Sequence, residues 1–197
     1  MLERIAASIT ERQFREGRIT RIEQQIYQYG YILMMEVGIN ILISVIIGIV
    51  CHRLPAVIVL LAMLVPLRSY AGGVHMKKTW HCIIATNMVV LAVILIEGVV
   101  TQYVPVVSLV VTDIISGAII CGLSPIDTEA KPLDADERKL FKKKAVVICV
   151  LEVIINIVLL MLKIKWVAVI GVLSHIVIVI MLCLAKLQGY GESNDLL

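Results

Sequence analysis

Long stretches of this chain are apolar on every side, as in ILISVIIGIV at 41–50 and VIINIVLLML at 153–162. A half-buried strand or a barrel strand would alternate apolar and polar residues, so a sheet does not account for them. Within a bilayer a helix satisfies its own backbone hydrogen bonds, and roughly 20 apolar residues suffice to cross it. The pattern predicts six helices, at about 31–50, 54–67, 82–100, 104–123, 145–162 and 166–187. The second is short, which leaves it tilted, extended into the polar stretch that follows, or only partly inserted. The fold class expected is therefore all-α, a polytopic membrane protein with about six transmembrane helices.

Ahead of the first run lies a segment of different character. Leu2, Ile5 and Ile9, then Ile19, Ile22 and Ile26, recur at helical spacing among Arg4, Arg12, Arg15, Arg18 and Arg21. This predicts an amphipathic helix broken near Gly17 and lying on an anionic membrane surface, the alternative being a solvated charged tail. No apolar core of a signal peptide stands in the first thirty residues. The expected organisation is an interfacial segment at 1–30, a six-span domain at 31–187 with a polar loop at 68–82, and a tail at 188–197.

Composition agrees: 60% of residues are hydrophobic and 17% charged, against about half and a quarter in a soluble domain. The basic residues are unevenly placed. The N-terminal segment, the 68–81 loop, the 124–144 loop and Lys186 hold fifteen, and the intervening loops only Arg53, Lys163 and Lys165. The positive-inside rule then puts both termini and the 68–82 loop on the cytoplasmic side of a cell membrane. The net charge of +3 reads as that topology signal together with attraction to anionic lipid or an acidic ligand. With two Trp and two Phe and no aromatic-and-basic stripe, nucleic-acid binding has no support.

Chemistry concentrates in RSYAGGVHMKKTWHC, Arg68 to Cys82. Of the five cysteines, Cys51, Cys121, Cys149 and Cys183 sit inside apolar runs, where cysteine behaves as a small hydrophobe. Cys82 instead closes a cationic segment at the edge of a span. Lys77, Lys78, His75, His81 and a helix start at Cys82 all favour a thiolate there, which is the nucleophilic form. His81 is adjacent, so on a helix its side chain diverges by about 100° from that of Cys82. His75 shares a helical face with Cys82 but stands about 10 Å away along the axis, so contact requires a bend, which Gly72 and Gly73 permit. Spacing alone leaves open a His-Cys dyad and an inert pair of interfacial histidines. A metal site of His75, His81 and Cys82 lacks a fourth ligand and a zinc spacing, and no metal or other cofactor is expected.

Polar residues also fall inside the spans: Glu36, Asn40, Asn87, Glu97, Asp113, Glu152, Asn156 and His175. Such groups commonly face a cavity or one another. Glu36 and Glu152, at the depth of the loop, are candidates to orient His75, although hydrogen bonding between helices explains them equally well.

The arrangement Arg68, Ala71-Gly72-Gly73, His75 and Cys82, set between the second and third spans of a chain of 197 residues, resembles the AgrB family of bacterial membrane endopeptidases. The likeness extends to the amphipathic N-terminus and to a basic loop with Pro125, Asp127, Lys131 and Pro132. It implies a cysteine endopeptidase in which Cys82 is the nucleophile and His75 the general base and then acid. The substrate implied is a small AgrD-like propeptide. Its acidic tail is released, the remainder is held as a thioester, and an internal cysteine closes a thiolactone. A homodimer is implied as well. Arg68, Lys77 and Lys78 read either as contacts to the acidic tail or as topology charges among headgroups. The rival from another class is a non-catalytic peptide exporter or scaffold, which would depend on Glu36, Asp113 or Glu152 and tolerate Cys82→Ala.

Overall fold

A computed structural model describes residues 2–73, 79–126 and 134–187. Seven helices occur among them: α1 (Leu2–Arg15), α2 (Arg21–Val50), α3 (Leu54–Ala71), α4 (Thr79–Tyr103), α5 (Val106–Leu123), α6 (Ala135–Met161) and α7 (Lys165–Leu187). Six of them, α2 to α7, are long and apolar enough to cross a membrane. Even α3 and α5, at 18 residues each, extend about 27 Å at 1.5 Å per residue, close to the hydrocarbon thickness. The chain is an all-helical, multi-pass membrane protein.

The local chemistry explains where the helices start and stop. α1 ends before Gly17, whose φ of +68° suits glycine. Thr20 then opens α2 with a reciprocal capping box, its hydroxyl accepting from the Glu23 amide while the Glu23 carboxylate accepts from the Thr20 amide. α2 continues unbroken through Gly30 to Val50, so the second half of the amphipathic segment and the first apolar run are one helix. α1 folds back on it, with the Gln13 amide donating to Tyr31 and Gln24 to Glu11.

Two tight turns share one design. After α2 the His52 amide donates to Ile49 and that of Arg53 to Gly48, and after α6 Lys163 donates to Leu160 and Ile164 to Leu159. His52 and Lys163 take the left-handed conformation at φ +54° and +63°. Both are Schellman closures, which satisfy the last helical carbonyls and reverse the chain within three residues. Near the first of them Arg53 pairs with Glu97 of α4 at 3.2 Å, and Thr101 donates to the same carboxylate.

Besides α2, three helices clearly exceed their expected limits. α3 passes through Pro66, which has no amide to offer the carbonyl of Ala62, and reaches Ala71. It thereby carries Arg68 on a helix rather than in a loop. α4 begins at Thr79, and α6 begins at Ala135, where Asp134 caps it by accepting from the amides of Asp136 and Glu137. The basic run from Arg138 to Lys144 is thus helical.

α7 lies at the centre, packed against α3, α4, α5 and α6. Leu60, Leu64, Leu67, Val90, Ile120, Ile170, Ile178 and Leu182 form the main core. The outward surface is equally apolar, with Leu42, Ile49, Leu95, Val107, Ile154 and Leu184 exposed, as lipid rather than water requires. Polar groups are buried instead. The Nδ1 of His175 lies 2.7 Å from Asp113 and its Nε2 3.1 Å from Glu152, while Asn156 donates to Asp113 at 3.2 Å. This cluster ties α5, α6 and α7 together. For both ring nitrogens to be hydrogen-bonded, two protons must be shared between the imidazole and the carboxylates. Close packing of α7 against α6 depends on Gly171, where a Cβ would overlap the Asn156 side chain.

Candidate active site

The end of α3 and the start of α4 build a site around one cysteine. Cys82 stands at the end of the first turn of α4 and is only 6% exposed. Because the helix starts at Thr79 and not at Cys82, the free amides of the helix start precede the thiol. The positive end of the dipole still reaches it. Arg68 approaches from α3, with Nη2 3.8 Å from the Cys82 Sγ and Nη1 3.4 Å from the hydroxyl of Thr86. No carboxylate among the described residues forms an ion pair with Arg68, so its charge is directed at the thiol and at the space beside it.

That space is a cavity of about 540 Å³, bounded by α2, α3, α4 and Phe141 of α6. Its walls are largely apolar, from Leu33, Val37, Leu61 and Leu64, and its polar groups include Glu36, Asn40, Arg68, Cys82 and Thr86. Glu36 is 6% exposed and its carboxyl group interacts with the Cys82 thiol. Deeper along the α2 and α4 contact, Ser44 donates to Asn87 and Asn87 donates to Asn40. A polar seam thus follows one face of α2 away from the cavity, through Glu36, Asn40 and Ser44 at steps of four residues.

Gly72 and Gly73 close the site below Arg68. Gly72, at φ +82° and ψ −157°, pairs with Ile126, whose amide donates to Ala71 at 3.1 Å. A Cβ on Gly72 would overlap the carbonyl oxygen of Ile126. The glycine therefore has two reasons to be there: a backbone conformation closed to other residues and a backbone neighbour in contact. Ile126 is held by the end of α5, whose last carbonyls at Cys121 and Ser124 accept from the Nζ of Lys142 on α6. One basic residue of the 124–144 stretch is thus engaged with a helix terminus rather than with headgroups. Another, Lys144, lies over the ring of Tyr70 at 5.0 Å.

Of the residues singled out from the sequence, Arg68, Gly72, Gly73, Cys82 and Glu36 border one cavity. His75, Lys77 and Lys78 lie outside the described residues. Glu152 does not line the cavity, being bonded to His175. His81 is exposed and stacks on Trp80 with ring centroids 3.8 Å apart, consistent with its divergence from Cys82. Thr86 had not been singled out, although it lies one helical turn from Cys82 on the same face, a spacing visible in the sequence. No group of three or more His, Cys, Asp or Glu able to hold a metal occurs among the described residues.

The family model of accessory gene regulator B matches residues 2–184. The chain belongs to the AgrB family. As a member it is a multi-pass membrane protein concerned with quorum-sensing peptide processing, with a propeptide substrate met in the membrane. No curated protein and no solved structure matches the chain. The match extends across all seven helices, and with them the cavity and the Arg68–Cys82 pair.

Proposed function

We propose that this AgrB-family protein is a cysteine endopeptidase that cuts its propeptide near the C-terminal tail with Cys82 as nucleophile and His75 as base. The observation that carries the reading is the pairing of a buried thiol with an arginine that has no carboxylate partner among the described residues, on the wall of a mainly apolar cavity. A structural cysteine needs no such neighbour.

His75 takes the proton of the Cys82 thiol, and the sulfur attacks the scissile carbonyl. The oxyanion that forms is stabilised by the Arg68 guanidinium and, through it, by Thr86. His75 then protonates the departing amine, a contribution of roughly 10² to 10⁴ in rate. The tail leaves, and the remainder stays on Cys82 as a thioester. The internal cysteine of the propeptide displaces Cys82 and closes a cyclic thiolactone, one thioester replacing another at little energetic cost. Apolar walls suit the apolar part of the peptide and exclude the water that would hydrolyse the thioester.

In this reading both termini and the 68–82 segment face the cytoplasm, with the 1–30 segment at the lipid surface, a six-span domain at 31–187 and a tail at 188–197. Lys77 and Lys78 attract the acidic tail, and two copies associate as a homodimer. The test is co-expression of the cognate propeptide with wild type, Cys82→Ala and His75→Ala, with tail release followed by mass spectrometry. Release confined to the wild type supports the reading. An intact propeptide in all three, despite co-purification, would favour a carrier or scaffold.

A further inference from the structure

The Oε1 of Glu36 is buried and has no hydrogen-bond partner among the described residues. It belongs to a side chain that lines the same cavity as Arg68 and Cys82, with its carboxyl group beside the Cys82 thiol. A buried carboxylate oxygen without a donor is costly, and natural structures rarely leave one. The cavity is thus short of one proton donor, which whatever fills it must supply. Arg68 is turned toward Cys82 and Thr86 and does not fill that role. Among the described residues, the ionisable groups bordering the cavity are Glu36 and Tyr29 of α2, Arg68 and Tyr70 of α3, and Cys82 of α4. Among these groups, the Glu36 carboxyl group alone presents a buried oxygen without a donor, placed to receive a thiol proton.

We propose that Glu36 is a catalytic residue for the second half of the reaction, accepting the proton of the substrate's internal thiol as that thiol attacks the thioester on Cys82. The inference rests on the peptidase reading above and assigns within it a step left without a base. The substrate S–H donates to Oε1, and its proton passes to the carboxylate. The sulfur lone pair forms a new C–S bond to the acyl carbon. The tetrahedral intermediate collapses by breaking the old C–S bond, and Cys82 departs as thiolate beside Arg68. Glu36 then returns the proton to Cys82. One C–S bond forms, one breaks, nothing is oxidised, and the enzyme recovers its starting protonation.

The division of labour follows from position. Glu36 approaches from α2 with its carboxyl group beside the Cys82 thiol, so a second thiol attacking the thioester on Cys82 comes within its reach. It is distinct from His75, so the two half-reactions should respond unequally to its replacement.

The experiment uses the full-length protein in membranes with its cognate propeptide. Tail release, the thioester adduct on Cys82 and the thiolactone are quantified in wild type, Glu36→Gln and Glu36→Asp. Gln keeps the shape and an acceptor oxygen but cannot take the proton. The expected result in Glu36→Gln is accumulation of the adduct and thiolactone formation lowered by about 10²-fold, with tail release lowered far less. Raising the pH toward the thiol pKa of about 8.5 should restore cyclisation in Glu36→Gln by supplying the thiolate directly. Equal loss of acylation and cyclisation, unrelieved by pH, would make Glu36 a positioning or folding residue and overturn the proposal. Undiminished cyclisation would overturn it as well. Absence of tail release and adduct in wild type would instead remove the peptidase reading itself.

Discussion

Arg68 and Cys82, fourteen positions apart in the chain, meet through one guanidinium nitrogen at 3.8 Å from the thiol sulfur. The contact exists because α3 continues past Pro66 and brings Arg68 to the first turn of α4. The second nitrogen, on Thr86, fixes the plane of the guanidinium. Lysine has one ammonium and no fork, so it cannot reproduce the two contacts together. Arg68→Lys should therefore lower acyl-enzyme formation by about 10-fold to 10²-fold, and Arg68→Ala by more, with expression unchanged. Single-turnover tail release measures this. Activity of Arg68→Ala equal to wild type would remove the arginine from the mechanism.

Gly72→Ala should be more damaging than Gly73→Ala. Both glycines have positive φ, but at Gly72 a Cβ also overlaps the Ile126 carbonyl, whereas at Gly73 the nearest atom is the Met181 Cβ at 3.7 Å. A strained φ costs on the order of 1–3 kcal/mol, and the overlap adds the loss of the Ala71–Ile126 hydrogen bond. The expected signature is helical content retained by circular dichroism with tail release abolished in Gly72→Ala and reduced in Gly73→Ala.

His175→Ala should destabilise the bundle without entering the Cys82 cavity. It would leave Asp113 and Glu152 buried without the imidazole between them. Removing one partner of a buried charged pair costs about 3–5 kcal/mol. Thermal unfolding in detergent should show a clearly lowered midpoint, while any protein that remains folded keeps its Cys82 chemistry. Double replacement of Asp113 and Glu152 by Asn and Gln should soften the effect of His175→Ala, because the uncompensated charges are gone.

Lys142→Ala tests how the α5 terminus is closed. Its Nζ meets the carbonyls of Cys121 and Ser124, and a hydrogen bond from a charged group contributes about 1.5–3 kcal/mol. Loss of it should loosen the Ser124–Ile126 segment and, through the Gly72 pairing, lower activity. Hydrogen exchange of the Ile126 amide is the direct readout. Lys139, exposed and paired loosely with Asp136 at 3.8 Å, should tolerate the same change.

Hydropathy made the helical class and the six spans legible, since runs apolar on every side admit little else within a bilayer. The limits of α2, α3 and α6 were less so. Charged turns outside the hydrocarbon, such as Arg138–Lys144, continue a helix without any apolar signal. The grouping of Arg68, Gly72 and Cys82 was readable from the motif. The entry of Glu36 into the same cavity was not, because it depends on how α2 lies against α3 and α4. Likewise Asp113, Glu152 and His175 were visible as polar interruptions of three separate runs. Their convergence on one imidazole follows from the packing of α7 between α5 and α6, which gives Glu152 the His175 ring as its partner.

The most direct test of the central claim is the intact mass of the enzyme isolated during turnover of its propeptide. The account predicts an adduct equal to the propeptide less its C-terminal tail. That adduct should map to Cys82, be released by hydroxylamine as a thioester is, and be absent in Cys82→Ala. Tail release that persists in Cys82→Ala, or an adduct on another cysteine, would contradict it.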